Sequence, residues 1–338
     1  MISRAAAIEA IAGERFEVVV IGGGITGAGV ALDAASRGYS VALLERGDYA
    51  IGTSSRSSKM VHGGLRYLQN LDLGLVREAL LERQLMVQLA PHLVYPTPFL
   101  VPSFGEDRRD RRVGLGLNMY DVMATTRVGR SRREMRSSHD ADEDFYWSPD
   151  RHRTIERDEV LELVPALTTR EPKDAYLFYD CQTDDVRLVL TILGEAERYG
   201  AVSLNGAEVT GLRDEDGRAC GVVCTDTETG NSFEVEADNV VNATGVWADR
   251  IRPEEIHDEA EVPRIAPSRG THVTVAMETL PVKSAACIVP AGEDRTIFAL
   301  PLSEISSVTS APLSITAPNR SASPRTVSTS RTSSVWQS

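Results

Sequence analysis

Lysine is nearly absent from these 338 residues: Lys59, Lys173 and Lys283 are the whole complement, and arginine carries almost all of the positive charge. Acid outnumbers base, 49 Asp and Glu against 36 Lys and Arg, giving a formal net charge of −13. That balance supplies no basic face for a phosphate backbone, so no nucleic-acid partner is expected. Nowhere do about 18 apolar residues run together, and MISRAAAIEAIAGERF at the N-terminus has no apolar core of signal-peptide length. The expectation is therefore a cytoplasmic chain, or one bound to a membrane only from its cytoplasmic side. Cysteine is scarce: Cys181, Cys220, Cys224 and Cys287 fall in no metal-ligand spacing, and the Cys220 to Cys224 gap is one residue too long for a CxxC redox pair. Buried reduced thiols and no metal are expected. What is plentiful is ordinary core material, 42% hydrophobic against 25% charged, in a chain long enough for two interleaved domains.

Phe16 to Ile21 (FEVVVI) is a β-branched run ending at three glycines, the pattern of a strand buried on both faces. Ile25 to Arg37 has helical period, Gly38 ends it, and Val41 to Leu44 reads as the next parallel strand. Leu73 to Leu89 predicts a long amphipathic helix before Pro91. Pro96, Pro98 and Pro102 around TPFLVP predict an edge strand entering a second domain. Helical promise follows at Val113 to Met123 and at Arg187 to Tyr199, and Val202 to Val241 reads as a meander with DEDG and TETG turns. The meander closes on VVNATG, a second buried strand stopping at small residues, as in a chain returning to its first sheet. From Leu302 to Ser338 there are twelve serines, no glycine and no apolar period, so a disordered tail is expected.

Gly22, Gly24 and Gly27 spell GxGxxG directly after a strand and at the start of a helix, the context in which the motif has mechanical meaning. Gly22 permits the tight turn, Gly24 leaves room for a pyrophosphate at the helix N-terminus, and Gly27 lets helix approach strand. Glu45 ends the second strand 23 residues after Gly22, the interval at which an acid meets a ribose hydroxyl. These features predict a bound dinucleotide without separating FAD from NAD.

The separation comes from Thr53 to Leu68, TSSRSSKMVHGGLRYL. With IGGGITGAGVALDAASRGYSVALLE before it, EALLERQLMVQLAPHLVYPTPFLVP after it, and DCQTDDVRLVL, VNATGVWAD and RGTHVTV further on, this stretch closely resembles the FAD-dependent, respiratory glycerol-3-phosphate dehydrogenases, of the anaerobic, archaeal type. The resemblance implies an α/β fold: a Rossmann-like FAD-binding domain of the D-amino-acid-oxidase-like (glutathione-reductase-type) flavoproteins plus an α+β substrate domain. Residues 14–82 and 181–256 would form the FAD domain, 83–180 and 257–301 the substrate domain, and 302–338 the tail. It implies oxidation of sn-glycerol 3-phosphate to dihydroxyacetone phosphate, hydride passing to FAD and electrons to a quinone or an electron-transfer subunit. Such a chain would lie peripherally on the inner face of the cell membrane, with oligomeric state left open.

Carried onto matching positions, Ser54, Ser55, Ser57, Ser58, Lys59 and Gly64 would line pyrophosphate and flavin, and Thr244 and Gly245 would meet the cofactor from the second motif; hydroxyls and backbone amides suit those oxygens. Arg66 and Tyr67 match the substrate-facing pair, an arginine fork suiting a phosphate or a developing alkoxide. His272 matches the active-site histidine and is the candidate base, while His62 is expected to position backbone. The resemblance ends after Leu300 and Pro301, where the family's Gly-Thr-Thr-Asp-like turn, second substrate arginine and Gly-Gly-Lys-Leu-Thr-Thr-like loop would follow. An out-of-frame translation from Leu302 is the expectation that this break motivates, and an uninterrupted frame on resequencing would exclude it. A flavin amine or amino-acid oxidase and an inactive flavin-binding remnant are the competing readings.

Overall fold

The computed structural model describes residues 4–64, 72–105, 111–125, 151–251, 265–266, 270–290, 296–302 and 313–317. The helices are α1 (Arg4–Gly13), α2 (Ile25–Ser36), α3 (Leu73–Leu89), α4 (Arg111–Thr125), α5 (Arg157–Leu163) and α6 (Asp185–Arg198). The strands are β1 (Arg15–Ile21), β2 (Val41–Leu44), β3 (Met60–Val61), β4 (Val94–Phe104), β5 (Arg153–Glu156), β6 (Pro172–Thr183), β7 (Val202–Leu204), β8 (Ala207–Glu215), β9 (Arg218–Asp226), β10 (Ser232–Asn242), β11 (Thr271–Val275), β12 (Ala286–Pro290), β13 (Thr296–Pro301) and β14 (Leu313–Ala317).

The first sheet runs β7-β2-β1-β10-β9-β8, with β7, β2, β1 and β10 parallel and β9 and β8 antiparallel. Every residue of β2 is buried because both faces are covered. Val41 and Leu43 pack on Ala28, Ala31 and Ala35 of α2 and on Val189 and Leu193 of α6. Ala42 and Leu44 face Ala7 and Ile11 of α1 and Val222 and Val235 of the meander. A strand with no solvent face has no use for alternation, which is why its sequence is a continuous apolar run. The alanines of α2 let the helix lie close to the sheet, and Gly38 at φ +91° ends it, its N–H reaching Ala35 O at 2.9 Å. Strand β10 places VVNATG beside GGG, in parallel register with β1 from Arg15↔Glu236 to Ile21↔Asn242.

The second sheet runs β11-β14-β13-β12-β4-β6-β3, with β5 beside β6. The expected edge strand is an interior one: β4 pairs with β6 on one side from Val94↔Thr183 onward and with β12 on the other. Pro96, Pro98 and Pro102 share one parity, so their missing N–H groups all fall on one edge of the strand. The β12 edge tolerates them, because pairing there is confined to Phe99 and Leu100. Three polar groups tie these strands together across the core: Thr97 Oγ1 donates to Gln182 Oε1 at 3.1 Å, and Gln182 Nε2 donates to Pro301 O at 3.1 Å.

Within the stretch expected to be disordered, Leu313–Ala317 (LSITA) forms β14 between β11 and β13, with Ile315 opposite both Val273 and Ala299. Its alternation and its β-branched Ile315 and Thr316 are strand-forming, a period too short to stand out in a Ser-rich background. The rest of that stretch beyond Leu302 lies outside the described residues. All four cysteines are free, and Cys181, Cys224 and Cys287 are buried while Cys220 is half-exposed. Burial pushes each of the three buried thiols up to about 12. Only thiolate reacts, so a disulfide reagent at pH 8 is expected to titrate one thiol per native chain, Cys220, and all four after denaturation. Rapid reaction of a second thiol in the native state would contradict the burial.

Candidate functional site

The cleft at the carboxyl ends of β1, β2 and β10 has a volume of about 750 Å³, within the range of small-molecule sites. Gly22, Gly24, Glu45, Ser54, Thr244 and Gly245 line it, together with Arg46, Trp247 and the underside of β8. Gly22 stands at φ +110°, and a Cβ there would meet Ala243 O at 2.6 Å, so the two small-residue turns touch backbone to backbone. A Cβ on Gly27 would lie 1.8 Å from Gly22 O. Helix α2 thus rests on the turn itself, with its N-terminal amides aimed into the cleft.

The serine loop closes over that helix end. Ser54 Oγ accepts from Ile25 N at 2.9 Å, capping α2 from outside its own sequence, and it lies 3.1 Å from where a Gly24 Cβ would be. Glu45 accepts from Gly23 N at 2.7 Å and from Gly47 N at 2.9 Å, one bond on each carboxylate oxygen. Each oxygen keeps a second lone-pair direction for a hydroxyl donor. Gly23 is held as tightly as the glycines of the motif: a Cβ there would meet Tyr49 Cδ1 at 2.7 Å. The sequence reading missed it because GxGxxG counts its neighbours.

On the opposite wall Asn242 organises the turn after β10. Its Oδ1 accepts from Thr244 N at 3.2 Å and Thr244 Oγ1 at 2.6 Å, while its Nδ2 donates to Ala248 O and Ile251 O at 3.0 and 2.9 Å. Gly245 follows at φ +59°. Trp247 then reaches across the cleft, its ring 4.5 Å from the Arg46 guanidinium. Asn242, Arg46 and Trp247 lie in stretches the sequence reading used as motif flanks, and nothing in their spacing marks the contacts they make.

The remaining expected site residues are spread along the loop and the second sheet. Ser55 Oγ donates to Gly52 O at 3.4 Å, and Ser58 is half-buried. Ser57 Oγ donates to Asp185 Oδ2 at 2.7 Å and accepts from Lys59 N at 3.0 Å, while Lys59 Nζ pairs with Asp185 Oδ1. Asp185, in the first turn of α6, was not anticipated; it anchors this part of the loop. Gly64 is buried at φ +70°, its N–H donating to His62 Nδ1 at 3.0 Å. His272 lies half-buried on β11 opposite Thr316 in the second sheet, away from the cleft lining. Arg66 and Tyr67 lie outside the described residues.

A strand, a glycine turn, a helix N-terminus and a second small-residue turn thus enclose a cleft with an acid, Glu45, at its wall. Residues 17–306 match the family described as FAD dependent oxidoreductase. The chain belongs to that family. It is 41% identical over 278 residues to a glycerol-3-phosphate dehydrogenase of Mycobacterium leprae, covering 82% of this chain and 44% of that protein. It is 40% identical over 299 residues to glycerol-3-phosphate dehydrogenase 2 of Mycobacterium bovis, covering 88% and 47%. The chain therefore spans about half the length of these curated relatives. Among solved structures, the glycerol-3-phosphate dehydrogenase of Bacillus halodurans complexed with FAD is 28% identical with a TM-score of 0.67, covering 96% of this chain and 52% of that one. A glycine oxidase of Bacillus cereus, at 16% identity and TM-score 0.57, shares the fold.

The cleft fits the family's cofactor. Gly22 and Gly24 line it without side chains, α2 offers its N-terminal amides, and Glu45 offers acceptors that could take ribose hydroxyls. Replacing Glu45 by alanine removes two charge-assisted hydrogen bonds from the turn, each worth about 1.5 kcal/mol or more, so FAD should bind at least about tenfold more weakly. Titration of apoprotein with FAD measures this, and an unchanged affinity would remove Glu45 from the site.

Proposed function

We propose that this flavoprotein oxidises sn-glycerol 3-phosphate at its secondary alcohol to dihydroxyacetone phosphate. The observation that carries the reading is 40–41% identity to proteins named glycerol-3-phosphate dehydrogenase over more than four-fifths of this chain. The cleft geometry agrees with a dinucleotide cofactor at the same turn. FAD, when bound, supplies the acceptor for the hydride from C2. The protein's part is to place the substrate and to take up the hydroxyl proton. Arg66 holds the phosphate or the developing alkoxide with its planar fork, Tyr67 is the other member of the substrate-facing pair, and an imidazole nitrogen of His272 takes the C2 hydroxyl proton. Ser54, Ser55, Ser57, Ser58, Lys59 and Gly64 form the flavin side of the site, held in part by Asp185.

Electrons then pass to a quinone or to an electron-transfer subunit, with the protein peripheral on the inner face of the membrane. Among the described residues no helix is long and apolar enough to cross a membrane. The test is a visible spectrum of the purified chain, followed by anaerobic addition of sn-glycerol 3-phosphate in the same cuvette. Bleaching of an oxidised-flavin spectrum is expected, whereas bound flavin that the substrate does not reduce would overturn the reading. Reoxidation by a soluble quinone faster than by oxygen is expected in turn; stoichiometric hydrogen peroxide would assign oxygen as acceptor instead.

A further inference from the structure

One buried polar cluster lies outside the dinucleotide cleft. Arg83 of α3, Tyr120 of α4 and Asp180 of β6 are each 2% exposed, and they come from positions far apart in the chain. Arg83 Nη1 pairs with Asp180 Oδ1 and also donates to Tyr179 O at 3.2 Å. Tyr120 Oη donates to the Asp180 carboxylate, 2.8 Å from each oxygen. The guanidinium lies 5.7 Å from the centre of the Tyr120 ring. Burial, and then the Asp180 charge, push the Tyr120 phenol well above its usual range, so it remains a donor at every working pH.

The cluster converges on one backbone group. Gly63 N donates to Tyr120 Oη at 2.8 Å, with Asp180 Oδ1 at 3.4 Å. Strand β3 is two residues long, and its ladder to β6 ends at Val61↔Cys181, so Gly63 is held by side chains where the sheet no longer holds it. Space there is filled as well: a Cβ on Gly63 would lie 2.4 Å from Leu80 Cδ2 and 2.6 Å from Tyr120 Oη. Gly64 follows at φ +70°. Arg66 is three residues beyond Gly63 in the sequence.

A buried ion pair is weak evidence for stability, because desolvating the charges offsets their attraction. What this one does is fix a single peptide. We propose that Arg83, Tyr120 and Asp180 are positioning residues for the substrate site, anchoring the Gly63 peptide where the chain leaves β3, three residues before Arg66 in the sequence. The assignment of Arg66 to the phosphate rests on the glycerol-3-phosphate reading above; the anchoring of Gly63 does not.

Tyr120→Phe in the flavin-loaded protein tests it, since the ring keeps its edge contact with Phe178 and only the hydroxyl is lost. The expected result is flavin content and circular dichroism as in the parent, with KM for sn-glycerol 3-phosphate raised about tenfold and kcat changed much less. Amide exchange in the peptide covering residues 60–68 should quicken about tenfold, with exchange elsewhere in the sheet unchanged. A folded, flavin-loaded variant with parental KM and parental exchange overturns the proposal. If Tyr120→Phe does not fold, Arg83→Lys decides, because it keeps the charge and loses the fork: a raised KM at constant kcat supports positioning, and parental KM overturns it. If the parent flavin is not reduced by sn-glycerol 3-phosphate at all, the functional reading fails on its own. The exchange measurement then decides alone, faster exchange in the variant supporting the anchor and equal exchange removing it.

Discussion

Replacing Gly27 by alanine is expected to yield a protein that retains no flavin and is destabilised by about 3 kcal/mol, the upper range for overpacking. The new Cβ would stand 1.8 Å from Gly22 O and 3.0 Å from Gly22 C. Neither atom can retreat, because Gly22 N is bonded to Leu44 O at 2.8 Å and the far side of the turn abuts Ala243. Helix α2 must therefore lift from β1, and its N-terminal amides move out of the cleft. Gly29 in the same helix is the control: it is exposed and nothing lies within 4 Å of its Cβ position. Gly29→Ala should keep the flavin and gain about 0.5–1 kcal/mol from the unfolded chain's lost freedom. Flavin absorbance per polypeptide and a thermal melt read both variants. Full flavin occupancy in Gly27→Ala would mean that the helix does not rest on the turn.

Asp180→Ala is expected to cost about 3–5 kcal/mol, because it leaves the Arg83 guanidinium buried and without its carboxylate. For a chain of this size that lowers the melting temperature by about 4–7 °C. The double replacement Arg83→Met with Asp180→Leu should be much closer to the parent than Asp180→Ala, since it removes both charges and refills the volume. Adding Tyr120→Phe to that pair should nonetheless release the Gly63 peptide, because it removes the acceptor at 2.8 Å, and so separate stability from positioning. Equal melting temperatures for Asp180→Ala and the parent would show that water reaches this pair in solution.

The first sheet was legible because its elements carry one-dimensional signals. β1 and β2 are continuous apolar runs, α2 has small residues at helical period, and the expected limits Val41 to Leu44 and Leu73 to Leu89 coincide with β2 and α3. The second sheet was less legible. Three prolines argued for an edge, and only the register of β4 against β6 and β12 shows that their common parity leaves one side of the strand intact. Helix α1 was not expected at all, since it has no marked apolar period and is held by Ala7 and Ile11 against a face already formed by other elements.

The sequence by itself determined the glycine turn, the acid 23 residues later and the family to which they belong, because each is a local pattern in which residue type and spacing carry the chemistry. It could not determine what those residues touch. Ser54 as the cap of α2, Asp185 as the anchor of Ser57 and Lys59, and Asp180 as the centre of the Gly63 anchor are decided by contacts spanning 29, 128, 126 and 117 residues. Such pairs leave no period and no spacing rule in the chain. A side chain's hydrogen-bond capacity is fixed by its type, but its partner is chosen only when two sheets and the helices between them have packed.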